Sequence, residues 1–345
     1  MNNISKSEFS LIIDSKQMLD NKLFQMISSE GFKRTDWNKV PNDFLKYLFL
    51  HDEPVMGKKR TEKTKKEYLR ELDCLFSFFN QPLQEITPED ALAFQYWIDR
   101  QEYAATTMRR KSTVVKQFLQ YLYKIGVLSA DVTYKMKKIS QPKEQLVDRD
   151  LYESDVNDLL DHFKRTNWFA FTLLFVLAST GLRIEELATA KWSGLFYYPK
   201  LGLHFLNVIG KGNKPRTAII FNDVLDSIIE FRKRRGLKVE IDPGDTTAFF
   251  PKPIGSHYSS KYLSNEFSNL VEATNFNFIK HRTDRITPHT CRHYTAAYLS
   301  DKGADIRAIQ DALGHSSIIT TEGYLWKKRK LENHAGLKLG KNFVV

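Results

Sequence analysis

The sequence predicts a mainly α-helical protein with a small antiparallel β-sheet, an α+β fold divided between two domains. Apolar residues recur at helical spacing through residues 58–136 and again beyond residue 151. The segment LGLHFLNVIGKGNKPRTAIIF is typical of a strand, a turn and a strand, and its internal glycines permit the turn. The polar stretch KKISQPKEQLVDRD lies between the two helical regions and predicts a linker.

These patterns divide the 345-residue chain into five segments. We predict an N-terminal arm or small helical extension, a helical domain, a linker, a mixed α/β domain and a tail, at residues 1–55, 56–140, 141–150, 151–330 and 331–345.

Composition limits the class of protein. Hydrophobic residues make up 42% of the chain and aromatic residues 13%, which supports packed cores and excludes a largely disordered chain. The net charge of +11 favours a polyanionic partner, nucleic acid before an anionic membrane, and a solvated basic surface is the alternative. No apolar run reaches the roughly 18 residues that span a bilayer, and the N-terminus lacks a signal-peptide pattern. With only two cysteines, we expect a cytoplasmic protein without a membrane partner.

The helical domain contains three predicted amphipathic helices. Thr87 and Pro88 open the second of them as a cap and a first-turn residue. The third helix carries four basic residues in its first half: Arg109, Arg110, Lys111 and Lys116. Because basic residues near a helix start oppose the helix dipole, we predict that these four bind an external anion. Their alternative role is solubility.

The second domain begins with a predicted helix from Tyr152 to Phe163, capped by Ser154. The almost wholly apolar stretch from Trp168 to Ser179 predicts a buried helix that Gly181 terminates. The strand–turn–strand segment and further helices follow.

Several polar residues of this domain are candidates for chemistry. They are Arg183, Lys211, His289, Arg292, His315 and Tyr324. Arg183 follows the buried helix, so the core should fix its guanidinium, a group suited to bidentate phosphate binding. His289 and Arg292 are three residues apart and share a helix face. Taken singly, each residue has an ordinary structural explanation as a surface arginine, a turn lysine, a satisfied histidine or a core tyrosine.

Other kinds of active site lack their sequence signatures. The cluster of His289, Cys291 and His293 does not have zinc-ligand spacing, because Cys291 faces away from His289 on a helix. The chain contains neither a P-loop nor the G-x-S-x-G elbow of a serine hydrolase. We therefore expect no metal ion and no cofactor.

The order and spacing of the candidate residues resemble the tyrosine recombinases, also called the phage integrase family. Three blocks carry the resemblance: TGLRIEELATAKW, GKGNKPRTAIIF and ITPHTCRHYTAAYLSDKGADIRAIQDALGHSSIITTEGY. All six catalytic positions of the family find a partner of the expected type. One departure is Gly323, which precedes the tyrosine where the family more often has a bulkier residue.

The resemblance implies that Tyr324 attacks a DNA phosphodiester and forms a 3′-phosphotyrosine, which preserves the bond for rejoining. Arg183 and Arg292 would clamp the phosphate oxygens, and His315 would donate a hydrogen bond to them. His289 would position or deprotonate the tyrosine. Lys211, on the hairpin, would protonate the departing 5′ oxygen.

The resemblance also implies an assembly. A helical core-binding domain and a catalytic domain would form a clamp around double-stranded DNA that carries specific recombination sites. A homotetramer would exchange strands through a Holliday junction, with the tail after residue 330 docking on a neighbouring subunit. An accessory directionality factor is compatible with this arrangement, and the protein would act at a bacterial nucleoid.

Three alternatives stay open at this point. A type IB topoisomerase uses a similar set of residues, but the separate helical domain and the close spacing of the histidine blocks favour recombination. A DNA-binding regulator with a decayed site is disfavoured because all six residue types are intact. Among recombinases, the long N-terminal segment favours an integrase or transposase of a mobile element over a chromosome-dimer resolvase of the Xer type.

Overall fold

The computed structural model of the protein describes residues 36–52, 55, 57, 60–79, 81–139, 151–210, 212–315, 317, 318 and 322. The chain divides into two compact units, Met1–Glu144 and Gln145–Val345. The predicted linker and C-terminal tail lie outside the described residues, as does the predicted arm before residue 36.

The first unit is helical throughout its described part. The α-helices of that part are α1 (Asn42–His51), α2 (Glu62–Phe78), α3 (Pro88–Asp99) and α4 (Ala105–Lys124). Short 3-10 turns lie at Trp37–Lys39, Leu83–Glu85 and Val132–Lys135. The Thr87 side chain accepts a hydrogen bond from the Asp90 backbone N–H, and Pro88 occupies the first turn of α3, as the sequence predicts.

Helix α1 belongs to the core of this unit. The sequence analysis placed these residues in the N-terminal extension, yet Phe44, Leu45 and Phe49 are fully buried. The ring of Phe49 packs edge-on against Phe118 of α4, with 5.3 Å between the ring centroids. Apolar surface removed from water in this way holds α1 against α2 and α4.

The second unit surrounds one apolar helix. Its elements are α5 (Glu153–Thr166), α6 (Trp168–Thr180), α7 (Ile184–Thr189), β1 (Leu195–Tyr198), β2 (Leu203–Gly210), β3 (Lys214–Ile220), α8 (Asn222–Lys233), α9 (Ser260–Ala273), α10 (Asn277–Lys280), α11 (Pro288–Asp301) and α12 (Ile306–Leu313). Helices α5, α8, α9 and α11 all pack on α6, which explains why α6 is apolar on every side.

One local prediction in this unit is wrong. The N-cap of α5 is Tyr152, not Ser154, because the Asp155 carboxylate accepts the Tyr152 backbone N–H at 3.0 Å and so starts the helix earlier.

The sheet is antiparallel with strand order β1-β2-β3. Leu206, Val208, Ala218 and Ile220 point inward and are buried. The predicted fold class, mainly helical with a small antiparallel sheet, is confirmed. None of the helices in the described part of the chain is long and apolar enough to cross a lipid bilayer.

Candidate active site

Four of the predicted catalytic residues converge on one turn of the second unit. Helix α12 ends at Leu313, Gly314 adopts a left-handed conformation with φ of 64°, and His315 follows. We call Leu313–His315 the histidine turn. Arg183 reaches this turn from the N-terminus of α7, and His289 and Arg292 approach it from the first turns of α11.

Arg292 links two chain segments that are far apart in sequence. Its Nη1 donates to the carbonyl oxygen of Gly181 at 2.6 Å, and its Nη2 donates to the carbonyl oxygen of Leu313. The residue is only 1% exposed, so its guanidinium has a fixed orientation. The two bonds tie the C-terminal end of α6 to the C-terminal end of α12 and place the positive charge beside the histidine turn.

Glycine is required at Gly181 for two reasons. Its φ of 58° is in the left-handed region, and a Cβ at this position would overlap the Leu313 side chain. The close approach of α6 to the histidine turn therefore depends on this residue.

Arg183 is held by a buried carboxylate three residues along the chain. Its Nη1 donates to Oε1 of Glu186 at 2.9 Å, and its backbone N–H donates to Oε2 at 2.8 Å. Its Nη2 donates to the carbonyl oxygen of Gly314 at 3.2 Å. The Arg183 side chain is 27% exposed, whereas that of Glu186 is 2% exposed. Arg183 therefore presents part of its guanidinium to solvent from a fixed base.

A second arginine shares that carboxylate. Arg216 donates to Glu186 through Nε at 3.2 Å and through Nη2 at 2.6 Å. Burial opposes ionisation of Glu186, but the hydrogen bonds and charges of Arg216 and Arg183 outweigh it and hold its pKa below the usual range. Glu186 is thus an anion between two cations.

The sequence analysis missed Glu186 and Arg216, although both lie inside the blocks that carry the family resemblance. A signal was present for Arg216. It pairs with Val208 in the sheet, so it occupies an inward position of a strand whose other inward residues, Ala218 and Ile220, are apolar. A charged residue at an inward position needs a buried partner.

The two histidines of the site are neutral at pH 7. Burial, followed by the charges of Arg292, Arg183, His289 and Arg216, lowers the pKa of His315 to about 4. Burial, followed by the charges of Arg292 and Arg183, also lowers the pKa of His289. A neutral imidazole has one donor and one acceptor nitrogen, so each ring can donate to an oxyanion or accept a proton.

Two predicted catalytic residues, Lys211 and Tyr324, lie outside the described residues. The strand ends beside position 211 are described. A Cβ on Gly210 would lie 3.2 Å from Oε1 of Glu186, and Gly210 pairs with Lys214 across the hairpin. The base of the hairpin is therefore adjacent to the carboxylate that holds Arg183.

The four basic residues of α4 that are predicted to bind an anion, which the family resemblance implies is DNA, differ in their surroundings. Arg110 and Lys111 both bind the buried carboxylate of Glu71 at 2.7 Å. The Arg110 side chain stays 54% exposed, but that of Lys111 is only 13% exposed. Burial opposes the positive charge of Lys111, yet its hydrogen bond to Glu71 raises its pKa. Arg109 is exposed and Lys116 is half-buried.

Comparison with known proteins finds a family match for each of the two units. The profile of the phage integrase family matches residues 149–330, and that of the phage integrase N-terminal SAM-like domain matches residues 42–126. The chain is 28% identical to tyrosine recombinase XerD of Yersinia pestis over 301 residues, which cover 83% of this chain and 92% of the relative. It is 25% identical to tyrosine recombinase XerC of Herpetosiphon aurantiacus over 278 residues, or 76% and 84% of the two chains.

Solved structures share the fold. A lambda integrase tetramer bound to a Holliday junction superposes with a TM-score of 0.63 at 15% identity, covering 94% of this chain and 88% of that one. The Tn1549 transposon integrase in complex with circular intermediate DNA superposes with a TM-score of 0.61 at 19% identity, covering 81% and 94%. The family profile spans more than half of the chain, and the chain belongs to the phage integrase family of tyrosine recombinases.

Proposed function

We propose that this recombinase cuts and rejoins duplex DNA at specific sites through a covalent bond between Tyr324 and the 3′ phosphate of the cut strand. One observation carries the proposal for the catalytic unit. Arg183, His289, Arg292 and His315 meet at the histidine turn, where two guanidinium groups and two neutral imidazoles lie together. This is the chemistry that stabilises a phosphate whose oxygens gain negative charge.

Arg183 and Arg292 bind the two non-bridging oxygens of the scissile phosphate. Arginine suits this role because its planar fork matches phosphate geometry and stays charged at every relevant pH. His315, neutral and buried, donates its N–H to one of the same oxygens. Since the two guanidinium groups are fixed by carbonyl and carboxylate partners before DNA arrives, little reorganisation of them is needed in the transition state.

The bond changes balance without water or a cofactor. The phenolic oxygen of Tyr324 forms a bond to phosphorus as the bond from phosphorus to the 5′ oxygen breaks. His289 accepts the phenolic proton, and Lys211 gives a proton to the departing 5′ oxygen. The products are a 3′-phosphotyrosine and a free 5′ hydroxyl, and attack by the hydroxyl of another strand reverses the steps.

The biological role that we propose is integration, excision or transposition of a mobile element. The support for this role is the segment upstream of residue 42, where the match to the SAM-like domain begins. A minimal resolvase of the Xer type would need less chain there. In the assembly that we propose, a homotetramer joins two double-stranded sites and passes through a Holliday junction. The second candidate is chromosome-dimer resolution. The similarity to XerC and XerD supports a recombinase and is compatible with this role, but it does not favour it over the first. The two roles are separated by measuring recombination of two DNA substrates, one that carries the ends of the element and one that carries a chromosomal resolution site. The substrate that the protein recombines identifies the role.

A nicked suicide substrate tests the chemistry directly. The wild-type protein, incubated in EDTA with end-labelled DNA, is expected to form a covalent complex with the 3′ side of the cut. Tyr324→Phe should bind the DNA but form none of this complex, because the nucleophilic oxygen is absent. Tyr262→Phe, which changes an exposed tyrosine of the same unit, is the matched control and should retain the complex.

Two results would count against the proposal. A wild-type protein that binds the substrate without forming a covalent complex would indicate a regulator. A covalent complex that persists in Tyr324→Phe would mean that another residue is the nucleophile.

The basic start of α4 provides a second prediction, on DNA binding. Replacing Arg109 and Arg110 with alanine should weaken binding and lower the slope of log K against log salt by about 2, because each phosphate contact releases about one counterion. Lys111→Met should leave the slope almost unchanged. Both Arg110 and Lys111 are bound to Glu71, but the Lys111 side chain is only 13% exposed, whereas that of Arg110 is 54% exposed and can still reach a phosphate. Binding titrations at several salt concentrations measure both slopes. An unchanged slope in the double variant would remove these arginines from the DNA contact.

A further inference from the structure

Arg216 is a buried arginine that the proposed mechanism does not use. It lies on β3, two residues after the strand begins, and its side chain is 10% exposed. Two of its nitrogens, Nε and Nη2, donate to the two carboxylate oxygens of Glu186. The third nitrogen, Nη1, donates to the carbonyl oxygen of Ala312 at 2.7 Å. One guanidinium therefore connects three elements: β3, α7 and the end of α12.

These contacts lead to both sides of the proposed phosphate site. Glu186 is the residue that holds Arg183. Ala312 immediately precedes the histidine turn. The Arg216 side chain also lies against Gly314 within this turn, because a Cβ on Gly314 would lie 2.6 Å from Cδ of Arg216. Arg216 thus fixes the carboxylate behind Arg183 and the backbone in front of His315 at the same time.

Charge gives Arg216 a second effect. Among the described residues, Arg183 and Arg216 are the cations that contact the buried Glu186 carboxylate. Without Arg216, Arg183 alone would remain of these two contacts. The carboxylate would then compete more strongly with a phosphate for the Arg183 guanidinium. With Arg216 present, two cations share one anion, and Arg183 keeps its attraction for a phosphate.

We propose that Arg216 is a positioning residue for the phosphate clamp, one that sets the placement of Arg183 and of His315 without contacting DNA. This inference rests on the proposed recombinase mechanism. Lysine cannot replace Arg216 fully, because an ammonium group cannot span a carboxylate and a carbonyl in the planar geometry of the guanidinium.

The test compares Arg216→Met and Arg216→Lys with the wild-type chain in single-turnover cleavage of the suicide substrate at saturating DNA. We expect the cleavage rate to fall by about 10²-fold in Arg216→Met and by about tenfold in Arg216→Lys, as small displacements of catalytic groups do. DNA affinity should change little, because the side chain is buried. Arg234→Met is the matched control, since Arg234 pairs with Glu230 on the surface of α8. It should cleave at the wild-type rate.

A substrate with sulfur in place of the bridging 5′ oxygen distinguishes a defect in proton donation from a defect in the placement of the phosphate-binding groups. A thiolate departs without a proton donor, so this substrate restores cleavage when only proton donation is damaged. Lys211→Ala is the reference for such damage. Arg216→Met should remain slow on the sulfur substrate, because its defect lies in the placement of Arg183 and His315.

The outcomes separate this inference from the mechanism on which it rests. If the wild-type chain forms no covalent complex, the proposed function fails. If the wild-type chain cleaves and both Arg216 variants cleave as fast as the wild type, the positioning role is wrong. Full recovery of Arg216→Met on the sulfur substrate would also overturn it. Arg216→Lys keeps the positive charge, so it decides the question should Arg216→Met not fold.

Discussion

Replacing Arg292 with lysine is expected to lower the rate of covalent-complex formation by about 10³-fold, the size of effect seen when a preorganised donor to a developing oxyanion is removed. The loss has two causes. A lysine lacks the bidentate fork for phosphate, and it cannot reach the carbonyl oxygens of Gly181 and Leu313 together. The buried carbonyl that loses its donor should also reduce the free energy of unfolding by about 1–3 kcal/mol. Single-turnover cleavage and urea unfolding measure the two effects.

Arg232 provides a stringent control for that variant. It is also a fully buried arginine of the second unit, and it donates to the carbonyl oxygens of Lys238 and Ala248 and to the Asp245 carboxylate. Arg232→Lys should therefore destabilise the fold without a matching loss of cleavage at a temperature where the protein stays folded. Equal losses of cleavage in the two variants would mean that Arg292 contributes to folding and not to the chemical step.

Acid should destabilise the DNA-free protein in a window set by His315. Its pKa is lowered from 6.5 to about 4, first by burial and then by the charges of Arg292, Arg183, His289 and Arg216. The folded state therefore favours the neutral ring, whereas the unfolded chain takes up a proton near its ordinary pKa. The preference of the folded state for the neutral His315 ring therefore adds fully to the free energy of unfolding above pH 6.5. It is lost as the pH falls towards 4, a loss of up to about 3 kcal/mol at 1.36 kcal/mol per pKa unit.

Urea unfolding of the wild-type chain and of His315→Gln, between pH 7.5 and 4.5, measures this contribution. The wild-type curve should fall more steeply with decreasing pH than the variant curve. His289 and His51 also have lowered pKa values, so they account for a slope that both proteins share. Parallel curves for the two proteins would show that His315 does not titrate in this way.

The sequence was sufficient for the elements whose burial is local. The apolar run of α6 and the glycine-containing hairpin each predict their own structure from a short stretch of chain. Helix α1 was assigned to an extension because its partners, α2 and α4, lie up to about 70 residues away, as the contact of Phe49 with Phe118 shows. Nothing within residues 42–51 alone identifies those partners.

The site shows the same division. Spacing and residue type led to Arg183, His289, Arg292 and His315, and the structure brings these four together, while their catalytic roles stay predictions. The ion pairs escaped notice because each joins separate elements. Glu186 meets Arg216 across 30 positions, and Lys111 meets Glu71 across 40. Only the folded chain shows that Lys111 binds a buried carboxylate and that Arg216 shares Glu186 with Arg183.

The two carbonyl contacts of Arg292 also bear on how copies of such a gene decay. In the proposed mechanism, a copy that loses Tyr324 loses its nucleophile and can no longer recombine DNA. Losing Arg292 would also loosen the ends of α6 and α12, so any copy that is still selected to fold, for example as a DNA-binding repressor, should keep it. An inactive descendant that still folds should therefore keep the arginine, and an intact arginine alone would not indicate an active enzyme.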